Sequence, residues 1–222
     1  MDFIVNFDWA VFKFFEKLWN PVLDVIMSVI TYLGDDGIFW IILGVCLLIP
    51  KKTRRFGVYV LGGLAVAGFI NNICLKELIQ RPRPFNFDGW PEAFNYPNIV
   101  KKPSSWSFPS GHTSSSFGAA FPLLLRAKKK YGIPAVILAL LIGISRIYVH
   151  VHYPTDIIGG IIVGIIGGLI ATLLIDKVLY PKVIPFIHTK ILKRQNKNYF
   201  SPLQRSLKGR FYTHSKFKLK IS

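Results

Sequence analysis

The polar and apolar positions of this chain fall into long blocks, not into the short alternation of a soluble domain. Four apolar stretches, residues 56–79, 108–125, 133–149 and 154–175, approach or reach the roughly 20 residues that a helix needs to cross a bilayer, and their few charges lie near their ends. Two shorter apolar runs, 21–33 and 37–49, flank Asp35 and Asp36. The acidic pair reads as a turn in water between two more spans, lengthened by flanks such as the amphipathic segment 9–19. The pattern predicts an all-α polytopic membrane protein, a bundle of six transmembrane helices within residues 1–180. Gly160, Gly164 and Gly168 recur every fourth residue, which places small residues on one helix face where another backbone can approach closely.

Charge sets the orientation. Lys and Arg number 28 against 11 Asp and Glu, a net charge of +17, in a chain that is 51% hydrophobic with a mean hydropathy of +0.40. A nucleic-acid binder would carry such charge on a soluble fold, and the uncharged runs leave little room for one. Basic clusters at 51–55 and 126–130 and the basic tail 181–222 fall on one side of a six-span arrangement. That side is cytoplasmic by the positive-inside rule. Both termini then lie in the cytoplasm of a multi-pass cell-membrane protein, and a five-span count would scatter the clusters. The tail has no readable fold; its charge suits anionic lipid head groups or solvent.

Cys46 and Cys74 sit inside apolar runs and suggest no disulfide framework. The N-terminal segment carries Asp2, Asp8 and Glu16 and does not read as a cleaved signal peptide. The outer segment 82–107 is rich in aromatics, including Phe85, Phe87, Trp90, Phe94, Tyr96 and Trp106. It reads as an interfacial belt or as a lid over a lipid head group.

The polar residues that remain near the apolar blocks gather at the outer ends. Lys76 and Arg83 close the third span, Ser110, Gly111 and His112 open the fourth, and Arg146, His152 and Asp156 flank the link between the last two. Ionisable groups at such depths are costly and are candidates for function. Lys76, Arg83 and Arg146 can stabilise the oxygens of a phosphate ester, the arginines through a planar fork that matches two oxygens at once. At the start of the fourth helix, free N–H groups make an anion site. Gly111 permits close approach there, Ser110 offers a hydroxyl, and His112 stands beside the bound group. Asp156 lies four residues after His152 and can accept one imidazole N–H, turning the other nitrogen outward as a nucleophile.

These residues form three ordered motifs: Lys-x6-Arg-Pro at 76–84, Pro-Ser-Gly-His at 109–112, and Ser-Arg-x5-His-x3-Asp at 145–156. The set resembles the signature of the type-2 phosphatidic acid phosphatases, membrane lipid phosphate phosphatases whose site is related to vanadium haloperoxidases. The resemblance covers about residues 20–180. It implies a six-helix bundle with an extracytoplasmic site, no metal and no cofactor. His152 would form a phosphohistidine, Asp156 would orient it, and His112 would protonate the leaving oxygen and then activate water. Lys76, Arg83, Ser110, Gly111 and Arg146 would hold the phosphoryl oxygens. His112 has no nearby carboxylate in sequence. The expected partners are a lipid phosphate or diphosphate and the bilayer, with no nucleic acid; undecaprenyl pyrophosphate, phosphatidylglycerol phosphate and phosphatidic acid are the candidate substrates. A lipid phosphotransferase would use the same residues. A metal-dependent hydrolase or metal transporter, with His150, His152, His112 and Asp156 as ligands, would set its cation against three fixed positive charges. A non-enzymatic scaffold leaves the polar set unexplained.

Overall fold

The computed structural model describes residues 2–90 and 93–183. The chain divides into two units, 1–175 and 176–222. The second is described only as far as residue 183, where it is π-helical; the rest of the basic tail lies outside the described residues.

The first unit is all-helical among the described residues. Its helices are α1 (Asp2–Glu16), α2 (Pro21–Leu33), α3 (Ile38–Leu48), α4 (Arg54–Gly68), α5 (Lys76–Ile79), α6 (Gly111–Arg126), α7 (Lys129–Tyr148) and α8 (Pro154–Leu174). A π-helical segment, Phe69–Leu75, joins α4 to α5. Helical stretches that begin at Arg54, Lys129 and Pro154 are long and apolar enough to cross a membrane.

The two short apolar runs become α2 and α3, but the chain does not fold back between them. The helices are bent by only 47° at a 3-10 turn, Asp35–Gly37, and make a fourth membrane-crossing candidate when taken as one path. The six expected spans are therefore not six separate helices of spanning length. Asn20 caps α2 by accepting from the N–H groups of Val22 and Leu23. α2 packs on α7, whereas α3 packs on α4.

α6 is the centre of the bundle, with α4, α7 and α8 around it. Its 16 residues include Thr113, Ser114, Ser116, Gly118, Ala119 and Ala120, all buried. A helix enclosed by protein has no need of a lipid-facing apolar stripe, which explains its modest length and polarity. α8 shows the opposite division of labour. Ile158, Ile162 and Ile166 are about half exposed on one face. Gly160, Gly164 and Gly168 lie on the other, since a two-residue offset is close to half a helical turn. That glycine face meets α6: a Cβ on Gly160 would lie 2.8 Å from Thr113 Cβ, and one on Gly164 2.5 Å from Phe117 Cβ. The expected small-residue face is thus a helix–helix contact, and it sets how closely the start of α8 approaches the start of α6.

The aromatic segment after α5 packs inward on α1 and on the α7–α8 link. Trp90 stacks on Phe94 with centroids 5.4 Å apart and meets Trp9 and Phe12. Trp106 stays exposed at 38%.

Candidate active site

The three motifs converge. Lys76, Arg83, Gly111, His112, Arg146 and His152 line one cavity of about 670 Å³, together with Asp35, Asp36, Lys101, Lys102 and Ser105. Residues separated by more than seventy positions meet because α5, α6, the end of α7 and the α7–α8 link all reach the same end of the bundle.

His152 lies in that link and is buried. Its Nδ1 is 3.2 Å from Asp156 Oδ2, and its Nε2 is 3.0 Å from Arg83 Nη1. Arginine only donates, so Nε2 is the acceptor and Nδ1 carries the proton that Asp156 receives. Burial, followed by the charges of Arg83, Arg146 and Lys76, holds the imidazole well below its usual pKa. The ring is therefore neutral, with its basic nitrogen turned toward the cations of the cavity.

Asp156 is held from several sides. Oδ2 also accepts Ser107 Oγ–H at 2.5 Å and Tyr153 N–H at 3.0 Å. Oδ1 accepts Arg81 Nη1–H at 2.7 Å. Arg81 in turn donates to Asp8 Oδ2 on α1 at 2.8 Å and to Thr155 Oγ1 at 2.7 Å. Asp8 also accepts from the N–H and hydroxyl of Thr155. The guanidinium lies 3.6 Å from the centroid of the Tyr153 ring.

Arg83 is fixed by Ser105 O at 2.8 Å, Val151 O at 2.8 Å and Ser105 Oγ at 3.0 Å. Arg146 donates to Thr31 Oγ1 on α2 at 2.7 Å. Its Nε is buried and has no partner among the described residues. Such a donor is rare in a folded protein and suits an anion. Lys76 is 3.3 Å from Ser105 Oγ. A Cβ on Gly111 would lie 3.5 Å from Asn72 Oδ1 and 3.6 Å from Lys76 Nζ, so the helix start faces the π-helical segment across a narrow gap.

Ser110 stands at the start of α6, where its buried hydroxyl caps the helix, accepting Thr113 Oγ1–H at 3.0 Å and Thr113 N–H at 3.4 Å, and keeps its own O–H to donate. Its N–H donates to Asp156 O at 3.1 Å, which couples α6 to α8. His112 does have a carboxylate partner, Asp35 Oδ1, 2.6 Å from Nε2. Asp35 lies in the turn between α2 and α3, part-exposed, with its carboxylate against this ring. His150 stands apart, its Nδ1 2.8 Å from Asn95 O and its ring packed on Phe12, Trp19 and Phe94. Among the described residues no group of three or more His, Cys, Asp or Glu side chains is arranged to hold a metal ion.

With this geometry in place, comparison with known proteins decides the family. The PAP2 superfamily matches residues 56–180. The chain belongs to that superfamily. It is 33% identical over 165 residues to undecaprenyl-diphosphatase BcrC of Bacillus subtilis, covering 73% of this chain and 81% of that protein. It is 32% identical over 160 residues to the undecaprenyl-diphosphatase of Sulfolobus acidocaldarius, covering 72% and 74%. Among solved structures it resembles the PAP2 type phosphatidylglycerolphosphate phosphatase of Bacillus subtilis, with a TM-score of 0.61 at 29% identity over 80% of this chain and 89% of that one. Aquifex aeolicus LpxE gives a TM-score of 0.59 at 28% identity, covering 73% and 92%. The protein is therefore a PAP2 membrane phosphatase. Asp8, Thr31 and Asp35, which bond to Arg81, Arg146 and His112, all precede the matched PAP2 region.

Proposed function

We propose that this PAP2 phosphatase removes the terminal phosphoryl group of a lipid diphosphate, undecaprenyl diphosphate first among the candidates, through a phosphohistidine at His152. The observation that carries the reading is the neutral imidazole of His152, fixed by Asp156 on one nitrogen and facing Arg83 with the other. A phosphoryl group bound by Lys76, Arg83, Arg146 and the N–H groups at Gly111 would take over the Arg83 contact and expose the Nε2 lone pair. That lone pair bonds to phosphorus as the bond to the bridging oxygen breaks. The three cations and the helix start stabilise the equatorial oxygens. His112 gives a proton to the leaving oxygen, then takes one from the water that releases phosphate from His152.

A diphosphate is favoured over a monoester by the breadth of the cationic lining. Lys101 and Lys102 join Lys76, Arg83 and Arg146 around the cavity and outnumber Asp35 and Asp36. The names of two relatives from separate organisms agree.

The site belongs on the extracytoplasmic side. The four candidate spans together with the protein-enclosed α6 would make five crossings. In that count the basic clusters at 51–55 and 126–130 still share the cytoplasmic face. The bonds of α1 to Arg81 and Thr155 support an N-terminal helix on the site's side of the membrane, where the sequence-based expectation has both termini cytoplasmic. Phosphate release from a panel of purified lipid diphosphates and monophosphates, in detergent with EDTA, tests the function. Preference for diphosphates with full activity in EDTA is expected; phosphoryl transfer to a second lipid without phosphate release contradicts hydrolysis.

A further inference from the structure

The partner of His112 comes from outside the PAP2 match, which begins at residue 56. Asp35 belongs to the 3-10 turn where α2 breaks into α3. Asp36 and Gly37 adopt left-handed backbone conformations there, with φ of 50° and 68°. Gly34 is required by proximity: a Cβ at this position would lie 2.6 Å from Ile142 Cγ2 and 2.7 Å from His112 Cδ2. The break therefore presses directly on the imidazole, and this brings Asp35 Oδ1 within 2.6 Å of Nε2.

The two imidazoles of the cavity are held in opposite senses. His152 is bonded to its carboxylate through Nδ1 and turns Nε2 to the cations. His112 is bonded through Nε2, which leaves Nδ1 as the nitrogen for chemistry. We propose that Asp35 is a positioning residue that accepts the Nε2–H of His112, directs Nδ1 toward the leaving-group oxygen and stabilises the imidazolium form. The site then contains two carboxylate–imidazole pairs, one for the nucleophile and one for the acid. The proposal rests on the reading of His112 as the general acid.

The proton accounting closes. In the first step the P–Nε2 bond to His152 forms, the bond from phosphorus to the leaving oxygen breaks, and the Nδ1 proton of His112 passes to that oxygen. In the second, water oxygen bonds to phosphorus, its proton passes to Nδ1, and the P–N bond breaks with its electron pair returning to His152 Nε2. Asp35 stays ionised throughout. A carboxylate beside an imidazole favours the protonated ring, so its loss weakens the acid most where the leaving oxygen is most basic.

The test compares D35N, D35E and the unaltered protein on a long-chain alkyl phosphate and a long-chain nitrophenyl phosphate, through kcat/KM, which reports the step that breaks the ester. General acid catalysis contributes about 100- to 10,000-fold, and D35N forfeits part of it. The expected fall is about 10- to 100-fold on the alkyl ester and less than about 3-fold on the nitrophenyl ester. D35E restores part of the alkyl activity. The pH at which activity on the alkyl ester falls off on the alkaline side moves lower in D35N. Equal losses on both esters, or no loss on either, overturn the proposal while hydrolysis by the unaltered protein leaves the phosphatase reading standing. Failure of the unaltered protein to hydrolyse either ester or any lipid diphosphate overturns that reading instead.

Discussion

Arg81 ties α1 to the back of the site, and replacing it with methionine isolates what that link contributes. The guanidinium donates to Thr155 at 2.7 Å, to Asp156 at 2.7 Å and to Asp8 at 2.8 Å. Both carboxylates are fully buried, while the Arg81 side chain is 22% exposed. Removing one partner of a buried ion pair costs about 3–5 kcal/mol, because the other charge is left without compensation. Partial exposure of Arg81 to solvent argues for the lower end, about 3 kcal/mol. For a chain of this size each kcal/mol shifts the unfolding midpoint by roughly 2–4 °C, so R81M should melt about 6–12 °C lower. Tryptophan fluorescence of the detergent-solubilised protein measures this, since Trp9 and Trp90 lie 5.0 Å apart where α1 docks. Asp156 keeps Ser107 and the Tyr153 N–H, so activity should fall without vanishing. The double variant D8N/R81M removes the stranded Asp8 charge and should recover roughly half of the lost stability, a coupling that a double-mutant cycle reads directly. A midpoint loss under about 2 °C in R81M, or a double variant no more stable than R81M, would refute the reasoning.

Other consequences are as direct. H112A should slow kcat/KM by about 100-fold or more on an alkyl phosphate and much less on a nitrophenyl phosphate; equal losses contradict its role as acid. Because His152 is held neutral well below the usual imidazole pKa, the acid limb of the rate profile should lie well below pH 6.5. A limb near pH 6.5 that disappears in no other histidine variant would contradict this. Burial also lowers the pKa of His150 to about 4. The unfolded chain then binds a proton that the folded one refuses, so stability should fall as pH drops from about 6.5 toward 4; H150Q should flatten that fall. G164L would drive a side chain into Phe117. It should destabilise the protein by about 1–3 kcal/mol or more and lower activity by separating α6 from α8; unchanged melting would contradict the close contact.

The residues that meet in the cavity were legible as a group because they sit at fixed short spacings beside apolar runs. His152 and Asp156 are four apart, and Lys76 precedes Arg83 by seven. The spacing brings His152 and Asp156 together locally, whereas Arg83 is held in place by the distant Ser105 and Val151. The glycine face of α8 was legible from its fixed spacing too. Asp35 and Asp8 were not, because their contacts join residues 77 and 147 positions away. No local pattern marks an acidic residue in a turn as the partner of a distant histidine. An aspartate on the buried side of the amphipathic α1 was the one available signal, since a buried carboxylate requires a partner. The bend between α2 and α3 was not legible, because two apolar runs around two aspartates and a glycine look alike whether the chain reverses or bends. What distinguishes the cases is packing, with α2 on α7 and α3 on α4. The capping bond that Ser110 accepts from Thr113 was not legible either, because a hydroxyl at a helix start can face outward or cap.

The measurement that bears most directly on the account is mass-spectrometric mapping of the protein quenched during turnover of a lipid diphosphate under alkaline conditions, which preserve phosphohistidine. A phosphoryl group on His152, enriched in H112A because water activation is slowed and absent from H152A that still inserts in the membrane, is the predicted result. Rapid turnover by H152A, or phosphorylation at another residue with His152 unmodified, would contradict it.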